Sequence, residues 1–173
     1  MSLVFVFFFT GYAVAALPEN PMKNAKVGDW IEMKLITDQD GRLTEQTLRQ
    51  KIVKKDDKTV TLKSECTFQG KKMVASEAPI SLNKPYYSLP TNSVGTLNEG
   101  DETITSVGKS FQCHWIKRQI SFDIKGQKIT QVTTVWSSPD VPIAQVVKMV
   151  CERNEGGKKT ITTQELIGFG NEK

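Results

Sequence analysis

Apolar and polar residues alternate along most of this chain, and turn sequences interrupt the alternation at short intervals. The clearest case is 59–68, where Val60, Leu62, Cys66 and Phe68 fall on one face. Because successive side chains of a strand point to opposite faces, the pattern predicts antiparallel strands joined by hairpins. We predict about nine strands, at 27–37, 43–54, 59–68, 73–82, 103–107, 111–124, 128–138, 146–153 and 158–169.

Helical periodicity is nearly absent, and we expect only one helical turn, near 142–147. Many consecutive strands without crossover helices favour a mainly β fold, built as one strongly curved antiparallel sheet or as a sandwich. The pattern lapses at 83–100, which is rich in proline, glycine and tyrosine. We predict a long loop there, and long loops are commonly functional.

The N-terminus has the character of an export signal. Its first charged side chain is Glu19, and residues 3–16 form an apolar run. This run is shorter than the roughly 20 residues that span a bilayer, but it suits a signal peptide, and Ala13-Val14-Ala15 offers a cleavage site. We predict a signal peptide at 1–16, an extended leader at 17–26 and a single β domain at 27–170. The alternative is a buried N-terminal strand of a cytosolic protein.

Export to the periplasm or the medium, with no stable membrane span after cleavage, follows from that signal. The formal net charge of +4 is spread along the chain without a run of five like charges. Diffuse charge of this kind keeps a protein soluble, and we expect no nucleic-acid partner. Three cysteines form an odd set, at positions 66, 113 and 151. The predicted hairpin register puts Cys113 and Cys151 about 16 Å apart, beyond the reach of a disulfide.

Catalytic and metal-binding motifs are mostly excluded. His114 is the single histidine and follows Cys113 directly. Neighbours on a strand point to opposite faces, which opposes a cysteine–histidine pair. The cysteines and the histidine also lack the close spacing of zinc ligands. We therefore predict a protein that is not an enzyme and that has no metal and no cofactor.

Residues 135–149 read as a strand, an acidic proline-bearing connection and a returning strand. Together with 108–113 and 165–170, this segment resembles small exported bacterial proteins of unknown function that are similar to the LolA/LolB lipoprotein-carrier superfamily, including the DUF3108-type proteins. The resemblance covers 100–170 well and the first half only by strand pattern. It implies an open half-barrel with an apolar concave side that binds acyl chains or another hydrophobic partner, without enzyme activity. The chain lacks the long N-terminal helix and helical lid of the true carriers.

Eight residues are our candidates for contact with such a ligand: Ile31, Met33, Leu35, Leu62, Phe68, Trp115, Trp136 and Met149. The alternative is that these side chains simply form the core. Two functions stay open. The first is an exported domain that holds a lipid or other hydrophobic ligand in a half-barrel. The second is a structural or protein-interaction module of the cell envelope with a packed core. A third, a thiol enzyme using Cys113 or Cys151, requires a lowered thiol pKa.

Overall fold

The computed structural model describes residues 20–84, 93–124 and 127–172. It confirms the mainly β prediction. One antiparallel sheet holds all the strands that are described: β1 (Asp29–Gln39), β2 (Arg42–Lys55), β3 (Thr59–Phe68), β4 (Lys71–Lys72), β5 (Ser76–Ser81), β6 (Ser93–Ser106), β7 (Lys109–Ile124), β8 (Gln127–Ser137), β9 (Val146–Glu155) and β10 (Lys158–Asn171).

Tight turns join most neighbouring strands. Four of them place two adjacent residues at positive φ: Asp40-Gly41, Gln69-Gly70, Val107-Gly108 and Gly156-Gly157. Positive φ at both central residues is typical of the two-residue turn whose twist matches that of the strands, and glycine adopts it without strain. The sequence therefore fixes the strand register at these turns.

The strands lie in the order β4-β3-β2-β1-β10-β9-β8-β7-β6, with β5 also paired to β3. The first and last strands described thus meet in the middle, where Asp29 lies opposite Asn171. The sheet curves strongly but does not close, since β6 and the β4–β5 end each form an edge. Curvature brings the tip of the β6–β7 hairpin to β10, where the Ser106 hydroxyl donates to the carbonyl of Leu166.

One face of the curved sheet forms the core, and we call it the inner face. Its fully buried side chains include Ile31, Met33, Ile52, Val60 and Leu166. The connection between β8 and β9 adds Val141 and Ile143, both of which are completely buried.

Strand β7 buries different faces along its length. Ile116 and Arg118 are buried where β7 pairs with β8, whereas Phe111 and Cys113 are buried on the opposite face. The switch occurs where pairing with β8 ends, at His114 opposite Ser137. Beyond that point β7 pairs only with β6, and the hairpin turns its other face to the core, so that Phe111 packs edge-on against Phe169 at 5.8 Å.

Three local predictions are wrong. The segment 83–100 is not one long loop, because Ser93–Ser106 form β6; residues 85–92 lie outside the described part. The leader is not extended throughout, since Pro21–Lys23 form a 3₁₀ turn capped by Asn20, and Met22 is buried. No helical turn occurs at 142–147, since β9 already begins at Val146.

The predicted strand at 73–82 corresponds to β5 at Ser76–Ser81, and the two-residue β4 at Lys71–Lys72 precedes it. Among the described strands β5 pairs only with β3, so Pro79, which lies opposite Thr61, stands in an edge strand. The predicted signal peptide at 1–16 lies outside the described residues.

Candidate functional site

Six of the eight predicted contact residues share the inner face. Leu35 faces Gln46 on β2 and Gln164 on β10, and these registers continue to Phe68 and Met149 on the same face. The set comprises Ile31, Met33, Leu35, Leu62, Phe68 and Met149. All but Phe68, which is half-buried, are at most 8% exposed and contact one another as core. Their contact with a ligand stays a prediction.

Trp115 and Trp136 do not belong to that set. They are register partners across β7 and β8. Trp136 pairs next with Lys148, whereas its neighbour Val135 pairs with the inner-face residue Met149. Both indoles therefore lie on the opposite face of these strands, which we call the outer face, and Trp136 also packs against the core cluster. Their contact with a ligand stays a prediction.

The inner face also has a polar half, which runs across β7 to β10. Thr133 lies between Arg118 and Cys151, and Cys151 lies opposite Thr162. The next row contains Gln131 opposite Arg153. The four most buried polar residues of this region are Arg118, Gln131, Thr133 and Gln164, each at most 8% exposed.

Only some of the buried polar side-chain atoms in this half of the inner face form hydrogen bonds. Gln131 Nε2 donates to Thr133 Oγ1 at 3.3 Å, and Arg153 Nη2 donates to Glu155 at 2.7 Å. Arg153 Nε and Gln164 Oε1 are buried and have no hydrogen-bond partner within the described part of the chain. A buried polar atom without a partner is costly, so each of these two atoms marks a position where a further polar group would stabilise the fold.

The thiols are not activated. Burial raises the pKa of Cys66, Cys113 and Cys151 above the ordinary value of 9.0. For Cys151, a hydrogen bond with Thr133 offsets part of the effect of burial on the pKa. A raised pKa keeps a thiol protonated at neutral pH, and the protonated form is a poor nucleophile. All three thiols are free.

His114 and Cys113 are kept apart as the strand geometry predicts. The thiol of Cys113 faces the core, while His114 Nδ1 lies 3.0 Å from Asp101 Oδ1 at the surface. Within the ranges that the structure describes, no cluster of three or more histidine, cysteine or carboxylate side chains could hold a metal ion.

Two tryptophans on the outer face lie against glycines of the neighbouring strand. A Cβ atom added to Gly168 or Gly170 would come within 3.1 Å of the Trp30 ring, so this indole rests directly on β10. The guanidinium of Arg49 covers the ring at 4.0 Å from its centroid. Glu172 and Glu32 pair with that guanidinium.

Trp115 rests in the same way on Gly100 of β6. Three atoms of its indole, Cε2, Cζ2 and Nε1, would each lie 3.1 Å from a Cβ at position 100. The equal distances mean that the ring lies flat over this glycine. Beside it, Trp136 Nε1 donates to Glu102 Oε2 at 2.8 Å. The sequence pattern did not reveal this pair of contacts, because the relation of Gly100 to Trp115 requires the β6–β7 register.

Comparison with known proteins gives one informative likeness. No family model and no curated protein matches this chain. A solved structure from Bacteroides fragilis, described as an exported protein with a YmcC-like fold, matches with a TM-score of 0.52. The two chains are 12% identical, and the match covers 85% of this chain and 97% of the other. At this identity the likeness shows the fold alone.

The resemblance to the LolA/LolB superfamily stays a prediction.

Among the described residues, no helix has the length and apolar character of a transmembrane segment.

Proposed function

We propose that this chain is an exported, non-enzymatic interaction module of the cell envelope. The observation that carries the proposal is that the apolar inner face is occupied by the chain's own core. Ile31 and Met33, two of the predicted ligand contacts, are 2% and 1% exposed. With the apolar interior filled, the edges and the outer face of the sheet are the surfaces that a partner can reach.

The edge formed by β6 is the better of the two for binding. It is 14 residues long and pairs only with β7 among the described strands. At the opposite end of the sheet, β4 has two residues, and β5 has six residues and contains Pro79. Short strands and proline protect an edge against pairing. Beyond its bulges between Val94 and Asn98, β6 pairs with β7 in regular register, and a regular edge accepts an extended segment of another protein as an added strand.

The location and the absence of catalysis rest on separate support. The apolar run at 3–16 has the character of an export signal, and the structural neighbour is described as exported. We place this protein in the periplasm or outside the cell. The raised thiol pKa values and the separation of Cys113 from His114 both argue against thiol catalysis.

Crosslinking in living cells tests this function. A photo-reactive amino acid is placed at Thr103, exposed on β6, and in a control protein at Ser76, exposed on β5. We expect one envelope protein to crosslink from position 103 and not from position 76. The complex should then re-form from the two purified proteins. Equal crosslinking from both positions, or no crosslinking from either, contradicts the proposal.

A second function is a half-barrel that holds an amphiphilic lipid-like ligand. Its support is the polar half of the inner face, where Arg153 Nε and Gln164 Oε1 lack partners among the described residues. A polar head group there would place an acyl chain along Met149 and Leu35, which share this face. Native mass spectrometry of protein purified without detergent tests it. A small molecule that denaturation releases supports this function, and a bare polypeptide mass contradicts it.

A further inference from the structure

In this chain, one indole that lies on glycine has its other face covered by a cation. Trp30 lies on Gly168 and Gly170, and its other face is covered by Arg49. Glu172 accepts from the same guanidinium and holds it in place. A guanidinium over an indole is stabilised by the negative face of the ring, and a carboxylate fixes its orientation.

Trp115 also lies on a glycine, but among the described residues no cation covers its other face. Its ring lies flat on Gly100, so one face is turned to the sheet and the other away from it. Throughout the described residues no cationic group lies over this ring, whereas Lys148 lies 5.7 Å from the centroid of Trp136 and also pairs with Glu165. Trp115 is half-buried, so part of its outward face is accessible.

A carboxylate stands beside this open face. Glu102 is exposed and lies two residues after Gly100, so the two residues share one face of β6. One of its oxygens accepts from Trp136 Nε1, which holds the carboxylate next to the two indoles and leaves the second oxygen for another donor. Glu99 and Asp101 make this stretch of β6 the most acidic part of the strand.

We propose that β6 binds an extended, arginine-bearing segment of a partner protein, with the guanidinium on the open face of Trp115 and hydrogen-bonded to Glu102. This inference rests on the proposed function and names the chemistry of its partner. A strand added to β6 places alternate side chains on the outer face beside Gly100, within reach of the indole. Arginine suits the site better than lysine, because its planar group stacks on the ring while it donates to a carboxylate.

The negative charge of β6 also disfavours pairing with a second copy of this chain. A second copy of β6 would bring Glu99, Asp101 and Glu102 against the same three acids, and opposed like charges disfavour pairing. On this face of β7, the exposed Lys117 lies opposite Asn98, so it borders the site at the end away from Glu102.

Capped peptides of three Thr-Arg repeats test the site, with Thr-Lys and Thr-Gln repeats as matched probes. Binding to the purified mature chain is followed by calorimetry at low salt, because exposed charge pairs are screened at high salt. We expect saturable binding of the arginine peptide, severalfold weaker binding of the lysine peptide and none of the glutamine peptide. Equal binding of all three overturns the inference.

Two variants probe the indole and one serves as a control. Trp115→Leu should weaken arginine-peptide binding about five- to tenfold, in the range of an exposed cation–π contact together with its neighbouring hydrogen bond. Gly100→Ala keeps the indole but puts a Cβ 3.1 Å from it, which displaces the ring and should weaken binding as well. Trp30→Phe changes an indole on β1, four strands away from β7 in the sheet, and should leave binding unchanged. Near-ultraviolet circular dichroism confirms that each variant is folded.

The outcomes separate this inference from the proposed function. If the crosslinked envelope protein binds Trp115→Leu as well as it binds the unaltered chain, the arginine site is wrong and the interaction module stands. If the arginine peptide binds but no envelope protein crosslinks from position 103, the proposed function fails. Binding of maltohexaose in place of the peptide, abolished by Trp115→Leu, would show that the indole serves a glycan and would overturn the inference.

Discussion

The indole of Trp30 rests on the backbone of Gly168, and a Cβ atom at that glycine would lie 3.0 Å from Cζ3 of the ring. We expect Gly168→Ala to lower the free energy of unfolding by about 1–3 kcal/mol, the usual cost of forcing extra atoms into a packed contact. The ring would shift and weaken its contact with Arg49. Urea unfolding of the two proteins measures the difference.

Ile167→Ala is the control for that experiment. Ile167 neighbours Gly168 on β10 and is 44% exposed. Substitutions at exposed positions usually change stability by less than about 0.5 kcal/mol. Equal destabilisation by both substitutions would show that Gly168 has no special role beneath Trp30.

Met33 tests whether the inner face is a core or a ligand site. It is 1% exposed, so Met33→Ala removes buried atoms and should lower the free energy of unfolding by about 2–5 kcal/mol in protein free of ligand. Leu43→Ala, at a position that is 69% exposed, should have little effect. If Met33→Ala were neutral in the ligand-free protein, the packed-core interpretation would be wrong. Thermal unfolding followed by circular dichroism is sufficient.

Asp56 gives the turn between β2 and β3 a pH dependence. The backbone N–H of Lys58, followed by the hydroxyl and N–H of Thr59, lowers the pKa of Asp56 below 3.8. A lowered folded-state pKa contributes stability above the unfolded value, and this contribution is lost as pH falls through the folded value. Asp56→Ala should therefore lower the urea midpoint at neutral pH and have a much smaller effect near pH 2.

The neighbouring Asp57 is the matched control for this pH experiment. It is exposed in the same turn, while the hydrogen bonds that shape the turn go to Asp56. Asp57→Ala should leave the urea midpoint nearly unchanged at both pH values. If Asp56→Ala lowered the urea midpoint equally at neutral and acid pH, the ionisation of Asp56 would not stabilise the turn.

The cysteines should react slowly and remain unpaired. Because burial raises the pKa of each thiol, we expect alkylation of the folded protein at neutral pH to be slower than that of a free cysteine peptide. Denaturation without reductant should then expose three reactive thiols. Electrospray mass spectrometry counts the adducts, and a deficit of two would reveal a disulfide.

Strand positions were readable from the sequence because the turns are explicit. Asp40-Gly41 and Gly156-Gly157, for example, set their hairpins. The predicted hairpin register put Cys113 and Cys151 beyond the reach of a disulfide, and both thiols are free in the structure. The start of β6 was missed because proline just before it and the bulges between Val94 and Asn98 hide its alternation.

The candidate site was only partly predictable. Alternation shows which residues of one strand share a face, but it does not tell which face is inner. On β8 both faces carry apolar residues, and the registers of Val135 with Met149 and of Trp136 with Lys148 show which of the two lies on the inner face. The contact of Trp115 with Gly100 is between two different strands, and the alternation within one strand gives no signal for it.

The pairing of β1 with β10 has a consequence for how this protein is made. Asp29 and Asn171, which meet through a side-chain hydrogen bond, are 142 residues apart in sequence. The middle of the sheet therefore cannot form until nearly the whole described chain is available, and folds dominated by such distant contacts form slowly. Until then the chain lacks its central strand pair and is not folded, and the export that we propose would use the chain in that state.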